Sequence, residues 1–190
     1  MEDRLLTLDV SRGRRAEPVV DTIVLHFISD ASRSPESPYD LEAILGIFEE
    51  FGVSAHYLID RGGIIHRLVE EERVAFHAGR GSLPWDPPRT NVLNDYSIGI
   101  EMMAIGSATD MAAFVGSSTY ARVNESDVGF TPEQYTSLQW LINDIRKRWP
   151  EVEHDGRHVV GHELYAPDRR TDPGELFDWS RIGVTPPAER

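Results

Sequence analysis

The chain has 190 residues, of which 40% are hydrophobic and 27% are charged, which is typical of one compact globular domain over residues 1–190. It contains no cysteine, which excludes disulfides, thiolate metal sites and cysteine nucleophiles. A formal net charge of −13 disfavours nucleic acid as a partner, because phosphates would be repelled.

The N-terminal segment 1–21 alternates charged and apolar residues and lacks the continuous apolar stretch of a signal peptide. Residues 1–18 are interpreted as an irregular N-terminal extension of the domain. No later segment approaches the ~20 consecutive apolar residues that a membrane span requires. We therefore predict that the chain has no membrane span.

The first predicted core element is a strand over 22–28, whose apolar and β-branched residues are typical of a strand buried on both faces. Its polar exception is His26. Apolar residues at helical spacing predict an amphipathic helix over 39–51. Segments 53–59 and 64–69 are both strand-like, and the two glycines between them predict a hairpin.

A long irregular loop is predicted over 76–94, because this segment has three prolines and little periodicity. It contains His77 and Trp85. Strand character resumes over 96–103, where the period of two places Glu101 on one face. A carboxylate inside an apolar strand is a candidate for a functional role.

The sequence predicts the structure of some of the remaining segments more clearly than that of others. Segment 104–129 has no clear period and is interpreted as an insertion with at most one short helix. Residues 131–134 combine a capping Thr, a Pro at the first helical position and the Gln of a capping box, which predicts a long helix. A short strand at 159–160 leads to His162, and 165–179 is expected to form an ordered loop.

Three polar residues have side chains that suit a metal ion: His26, His162 and Asp172. Two imidazoles and a carboxylate are typical zinc ligands and leave a fourth position for water, whose pKa zinc lowers to roughly 7. That chemistry indicates a hydrolase. Taken singly, however, each histidine is more often a hydrogen-bonded structural residue, so spacing alone does not establish the site.

Five sequence motifs stand in a fixed order along the chain: 23–26 (IVLH), 53–60 (VSAHYLID), 77–79 (HAG), 94–101 (NDYSIGIE) and 161–174, which begins GH and ends APDRRTDPG. Together they resemble the family of peptidoglycan-recognition proteins and N-acetylmuramoyl-L-alanine amidases. The resemblance implies an α/β fold: a single domain with a central mixed β-sheet flanked by helices and a zinc cleft at one sheet end.

The same resemblance implies roles for individual residues. By position, His26, His162 and Asp172 would bind Zn²⁺. Glu101 matches the family's catalytic glutamate, and burial would raise its pKa towards the working pH; the alternative is a salt-bridged structural glutamate. Arg170 stands where many relatives carry lysine. Its cation would stabilise a developing oxyanion, but it cannot readily donate a proton.

Three more residues are predicted to bind substrate, each with a structural alternative. His77 lies in the motif that lines the cleft in relatives, or is a surface or capping histidine. Asn94 either contacts substrate or bonds its own backbone. Trp85 either stacks on a sugar or shields the core. By contrast, His56 is predicted to be a core histidine, and Tyr57 is given no catalytic role.

The resulting hypothesis is zinc-dependent hydrolysis of the amide bond between N-acetylmuramic acid and L-alanine in peptidoglycan or muropeptides. One alternative is a non-catalytic peptidoglycan-binding module, and another is a zinc peptidase that cleaves within the stem peptide. We expect a monomer. The location stays open between the cytoplasm and a cell wall reached without a signal peptide.

Overall fold

A computed structural model describes residues 2–3, 11–16, 19–85 and 88–187 of the chain. The strands, in chain order, are β1 (Glu2–Asp3), β2 (Ser11–Arg14), β3 (Thr22–Ile28), β4 (Tyr57–Ile59), β5 (Ile65–Arg67), β6 (Arg73–Ala75), β7 (Ser82–Leu83), β8 (Arg89–Thr90), β9 (Ser97–Met103) and β10 (Val159–Gly161).

The helices are α1 (Leu41–Phe51), α2 (Leu93–Tyr96), α3 (Ala108–Met111), α4 (Ser117–Tyr120), α5 (Pro132–Arg148) and α6 (His162–Tyr165), with 3₁₀ turns at Glu125–Asp127 and Trp179–Ile182. Within the described ranges, no helix has the length and apolar character needed to cross a membrane.

The central sheet has six strands in the order β1-β5-β4-β9-β3-β10. Strands β4, β9, β3 and β10 run parallel to one another, whereas β5 is antiparallel to β4, so the sheet is mixed. Two small antiparallel pairs, β2 with β6 and β7 with β8, lie outside it. The predicted mixed sheet with flanking helices is confirmed.

Two helices begin at side-chain caps that the sequence encodes. Asp40 accepts a hydrogen bond from the backbone of Ala43, so α1 begins at Leu41 rather than at 39. Thr131 and Gln134 form a reciprocal capping box at the start of α5, as predicted. Gly52 ends α1 with a φ of 60°, a conformation that favours glycine.

The two faces of the sheet differ in what covers them. Helix α5 packs on one face, against a large apolar cluster that includes Leu25 and Ile100. On the other face α1 packs against Leu58 and Met103, and a separate cluster surrounds Val24. Because side chains alternate along a strand, the polar residues of β3 and β9 project towards this second face.

Several predicted strands were too long, and two predicted irregular segments contain short elements that were not predicted. The strand expected over 53–59 begins only at Tyr57, and the one expected over 96–103 begins at Ser97 because Tyr96 still belongs to α2. The loop over 76–94 contains the β7–β8 pair, and the insertion over 104–129 holds α3, α4 and a 3₁₀ turn. Elements of two to four residues are too short to show a period.

The N-terminal extension is less irregular than predicted where it is described. Strand β1 pairs with β5 at the sheet edge, and β2 pairs with β6. Arg15, which follows β2, is buried. The other parts of 1–18, residues 1, 4–10 and 17–18, lie outside the described residues.

A buried carboxylate, Glu71, joins the end of α5 to the sheet. It accepts hydrogen bonds from the Tyr57 hydroxyl at 2.6 Å, from Arg148 Nη2 at 2.7 Å and from Trp149 Nε1 at 2.7 Å. Burial opposes its charge, but these donors, the Arg148 guanidinium foremost, lower the pKa of Glu71 below its ordinary value. Tyr57 precedes Leu58, the residue that pairs with Glu101, so the Tyr57 side chain lies on the opposite face of the sheet from Glu101.

Replacing Glu71 with alanine is expected to lower the free energy of unfolding by about 2–4 kcal/mol, because the buried Tyr57 hydroxyl, the half-buried Trp149 indole and the more exposed Arg148 guanidinium lose their acceptor. Urea denaturation at pH 7 measures the change. The exposed neighbour provides a control, since Glu70→Ala should leave the free energy almost unchanged.

The same network predicts a pH dependence. Because the folded-state pKa of Glu71 is lowered, its ionised form stabilises the fold above the ordinary value of 4.5, and this contribution is lost as the pH falls through the folded-state pKa. The stability difference between the wild type and Glu71→Gln should therefore shrink on acidification. A difference that grew would contradict the assignment.

Candidate functional site

The candidate site lies on the face of the sheet opposite α5, towards the carboxyl ends of three parallel strands. Strands β3 and β9 pair in register over seven residues, which places His26 directly beside Glu101. His162 follows β10 immediately and is the first residue of α6. Asp172 lies in the next loop, where its carbonyl accepts a hydrogen bond from the Glu163 backbone at 3.0 Å.

The three residues predicted as metal ligands come together. His26 Nδ1 lies 2.7 Å from Asp172 Oδ2, and His162 Nδ1 lies 3.1 Å from the same oxygen. All three side chains are buried, and their ligand atoms lie within 4.8 Å of one another. The structure thus brings two nitrogens and one carboxylate oxygen to a single point.

The hydrogen bonds of His162 show which of its nitrogens faces this point with a lone pair. Its Nε2 lies 2.8 Å from the Ala78 carbonyl oxygen, which can only accept, so Nε2 carries the proton. In a neutral ring, Nδ1 is then an acceptor that faces Asp172 Oδ2, another acceptor. Two buried acceptors at 3.1 Å repel each other unless a cation lies between them.

The charge states of the ligands also suit a metal. Burial lowers the pKa of His26 to about 4, so the ring is neutral at pH 7, as a ligand must be. Two imidazole nitrogens and one carboxylate oxygen form a donor set that fits a divalent ion such as zinc.

Glu101 is the unusual carboxylate of the site. Its Oε2 is buried and has no hydrogen-bond partner within the part of the chain that the structure describes. Burial, reinforced by the charge of Asp172, raises the pKa of Glu101 well above its usual value, although Arg170 opposes this shift. No salt bridge of the kind considered as its structural alternative appears among the described residues. A carboxyl group with a raised pKa suits proton transfer near neutral pH.

Arg170 borders the site and brings a positive charge to it. It is half-buried, and its Nη1 donates a weak hydrogen bond of 3.3 Å to the Arg169 carbonyl. Its charge acts on both Glu101 and His26. The loop that carries it is anchored to the 104–129 insertion, since Thr171 Oγ1 donates to the Asp110 carbonyl at 3.0 Å.

The three residues predicted to bind substrate all have contacts inside the protein. Both ring nitrogens of His77 have partners, His26 at 3.1 Å and Ser97 at 3.1 Å. Asn94 Oδ1 accepts hydrogen bonds from the backbone of His77 and of Ala78. Trp85 packs against the cluster around Val24, with the Arg157 guanidinium 5.2 Å from its ring centre. Their contacts with a substrate stay predictions.

Sequence reasoning missed a buried cation that supports the site. Arg15 donates hydrogen bonds to the carbonyls of Glu71, Asn94, Asp95 and Ser97. It also lies against His56, a core histidine whose Nδ1 accepts from the Gly99 backbone. Arg15 lies in a charged stretch of sequence without periodicity, so no local signal distinguishes it from a solvent-exposed arginine.

Two further residues, Ser97 and Gly99, share the face of β9 that carries Glu101. The period of two along the strand identifies them as neighbours of the site, although it does not reveal what they contact.

A second acidic group, Glu153, Asp155 and His158, also brings potential ligand atoms within 4.8 Å. It is partly exposed, and Asp155 there caps the local turn.

Comparisons with known proteins agree with this geometry. The chain is 35% identical to the 1,6-anhydro-N-acetylmuramyl-L-alanine amidase AmpD of Haemophilus influenzae over 129 residues, which cover 68% of this chain. It is 31% identical to the N-acetylmuramoyl-L-alanine amidase AmiD of Escherichia coli over an alignment of 199 positions, gaps included, that covers 96% of this chain. These alignments span 56% and 61% of the two relatives.

A solved structure of E. coli AmiD, in complex with the substrate anhydro-N-acetylmuramic acid-L-Ala-D-γ-Glu-L-Lys, has the same fold. It superposes with a TM-score of 0.63 and 28% identity, and the match covers 90% of this chain and 59% of that one. The profile of the family described as N-acetylmuramoyl-L-alanine amidase matches residues 15–175, most of the chain. The chain therefore belongs to the N-acetylmuramoyl-L-alanine amidase family.

Proposed function

We propose that this chain is a zinc-dependent amidase that hydrolyses the bond between N-acetylmuramic acid and L-alanine in peptidoglycan or muropeptides. The observation that carries the proposal is the convergence of His26, His162 and Asp172 beside Glu101, whose buried Oε2 has no hydrogen-bond partner among the described residues. The substrate class is supported by the relatives, which are named for this bond.

The ligand residues fit zinc by type, burial and charge. His26 Nδ1, His162 Nδ1 and Asp172 Oδ2 would hold it, and no other described histidine or carboxylate belongs to this group. Zinc held by three protein ligands acts as a Lewis acid and lowers the pKa of water to roughly 7. The chain's own residues then have to orient the amide and move one proton.

Glu101 is the residue that transfers this proton. Its raised pKa makes it a stronger base than an ordinary carboxylate, which suits it to accept a proton from the attacking water. The hydroxyl adds to the lactyl carbonyl carbon, the carbon–nitrogen bond breaks, and Glu101 passes the proton to the L-alanine nitrogen. The carboxylate is regenerated, so the products are the free lactyl acid and a stem peptide with a free amine.

Arg170 would act on the carbonyl oxygen. A negative charge develops there as water attacks, and a fixed cation at the border of the site stabilises it. The half-buried guanidinium is permanently protonated, so it contributes charge and hydrogen bonds but not a proton. Proton transfer is therefore assigned to Glu101 alone.

The first prediction concerns zinc itself. The metal-free chain should bind one Zn²⁺, measured by competition with a chromophoric chelator. His162→Ala should weaken binding by more than ~100-fold, beyond what loss of an outer-shell residue typically costs. His158→Ala, in the second acidic group, is the matched control and should bind normally. Loss of binding in His158→Ala alone would move the metal site to that group.

The second prediction concerns proton transfer. Glu101→Gln preserves the shape of the side chain but removes its basicity, so kcat should fall by about 10²–10⁴-fold while zinc content is unchanged. Mass spectrometry of an anhydromuramyl tripeptide digest follows the release of stem peptide. Glu49→Gln, at an exposed position of α1, is the control and should retain full activity.

The same digest separates the alternatives. A stem peptide that begins with intact L-alanine indicates the amidase. Cleavage within the stem peptide would indicate a zinc peptidase instead. An intact tripeptide that co-purifies with the zinc-loaded wild type would indicate a peptidoglycan-binding module.

The third prediction concerns Arg170. Arg170→Ala should lower kcat by about 10²–10³-fold, the usual effect of losing one group that stabilises an oxyanion. Arg170→Lys retains the charge but loses the planar guanidinium group, so its kcat should lie between that of the wild type and that of Arg170→Ala. Initial rates over a range of substrate concentrations give kcat and KM. A change in KM alone would assign Arg170 to substrate binding.

A further inference from the structure

We propose that His77 is a positioning residue for the site: its hydrogen bond to His26 Nε2 directs the Nδ1 lone pair of His26 towards the metal, and Ser97 fixes His77 in the required tautomer. This inference rests on the proposed zinc site. It gives His77 a role distinct from the substrate contact that the sequence suggests.

The direction of the hydrogen bonds from His26 through His77 to Ser97 follows from the Ser97 hydroxyl, whose own donor role is fixed. The Ser97 hydroxyl donates to the Leu93 carbonyl at 2.6 Å, so its only proton is committed. Ser97 Oγ can then only accept from His77 Nε2, at 3.1 Å. A neutral imidazole ring has one proton, and this contact places that of His77 on Nε2.

With that proton on Nε2, His77 Nδ1 is an acceptor. It lies 3.1 Å from His26 Nε2, which must therefore donate. A neutral His26 with its proton on Nε2 has a free lone pair on Nδ1, the atom that lies 2.7 Å from Asp172 Oδ2. His26 and His162 thus both present unprotonated Nδ1 atoms to the same carboxylate.

The position of the His77 ring is built into the sheet. A Cβ atom at Gly99 would lie 2.4 Å from His77 Cγ, so only glycine leaves space for the ring against β9. The ring lies between His56 and His26, with centroid distances of 5.8 and 5.2 Å. Asn94 Oδ1 holds the backbone of His77 at 3.2 Å. The ring is therefore held in place from several sides.

This arrangement is needed because a proton and the metal ion compete for His26 Nδ1. Without an acceptor at Nε2, His26 would take the opposite tautomer, and Nδ1 would donate its proton to Asp172 at 2.7 Å. That internal hydrogen bond would satisfy both groups and place a proton where the metal should bind. Outer-shell partners that prevent such changes typically contribute about 10–100-fold to metal affinity.

The test uses two near-isosteric variants of the full chain. Asparagine can place its Oδ1 near the position of His77 Nδ1 and accept from His26, whereas leucine cannot. We expect His77→Leu to weaken zinc binding by about 10–100-fold in chelator competition and His77→Asn to recover most of that loss. Ser97→Ala should change the affinity in the same direction as His77→Leu, but less. Urea denaturation establishes that each variant is folded.

A second readout needs no zinc. Long-range ¹⁵N–¹H correlation spectra of the metal-free chain report which nitrogen of His26 is protonated: Nε2 in the wild type and in His77→Asn, Nδ1 in His77→Leu. Equal zinc affinity in the leucine and asparagine variants, or a His26 tautomer that is the same in all chains, would overturn the proposal. If the wild type bound no zinc, the proposed function would fail, while the tautomer would still decide the role of His77.

Discussion

The in-register parallel pairing of β3 with β9 is the constraint on which the site depends. It extends over seven residues and places His26 beside Glu101 on the face of the sheet opposite α5. A shift of either strand by one residue would turn its polar side chain into the apolar cluster under α5, at a high desolvation cost. The apolar residues that alternate with them, such as Leu25 and Ile100, therefore fix the register and the site together.

Much of this could be read from the sequence because it depends on local pattern. The long elements β3, β9, α1 and α5 have clear periods or caps, and a polar residue such as His26 is conspicuous within an apolar strand. The short elements could not be read, since a two-residue strand has no period. Arg15 was also beyond reach, because its four carbonyl partners lie between 56 and 82 residues away along the chain.

His77 shows a third kind of limit, in which the residue is identified but its partners are not. Its motif marks it as part of the cleft, and this fits an exposed substrate contact as well as a buried support. The choice depends on Gly99, which leaves space for the ring, and on Ser97, whose hydroxyl is committed to a carbonyl. Neither relation can be derived from spacing, because each requires the three-dimensional packing of a loop on a strand.

The two histidines proposed as zinc ligands share one support. His77 Nδ1 accepts from His26, and the carbonyl of the next residue, Ala78, accepts from His162. A single dipeptide thus commits the outward proton of both rings, and Asn94 Oδ1 accepts from both of its backbone amides. Since protons and metal compete for the inward nitrogens, any displacement of this segment would affect both ligands at once. In the proposed zinc site, the affinity for the metal would therefore depend on His77 and Ala78, neither of which is a proposed ligand.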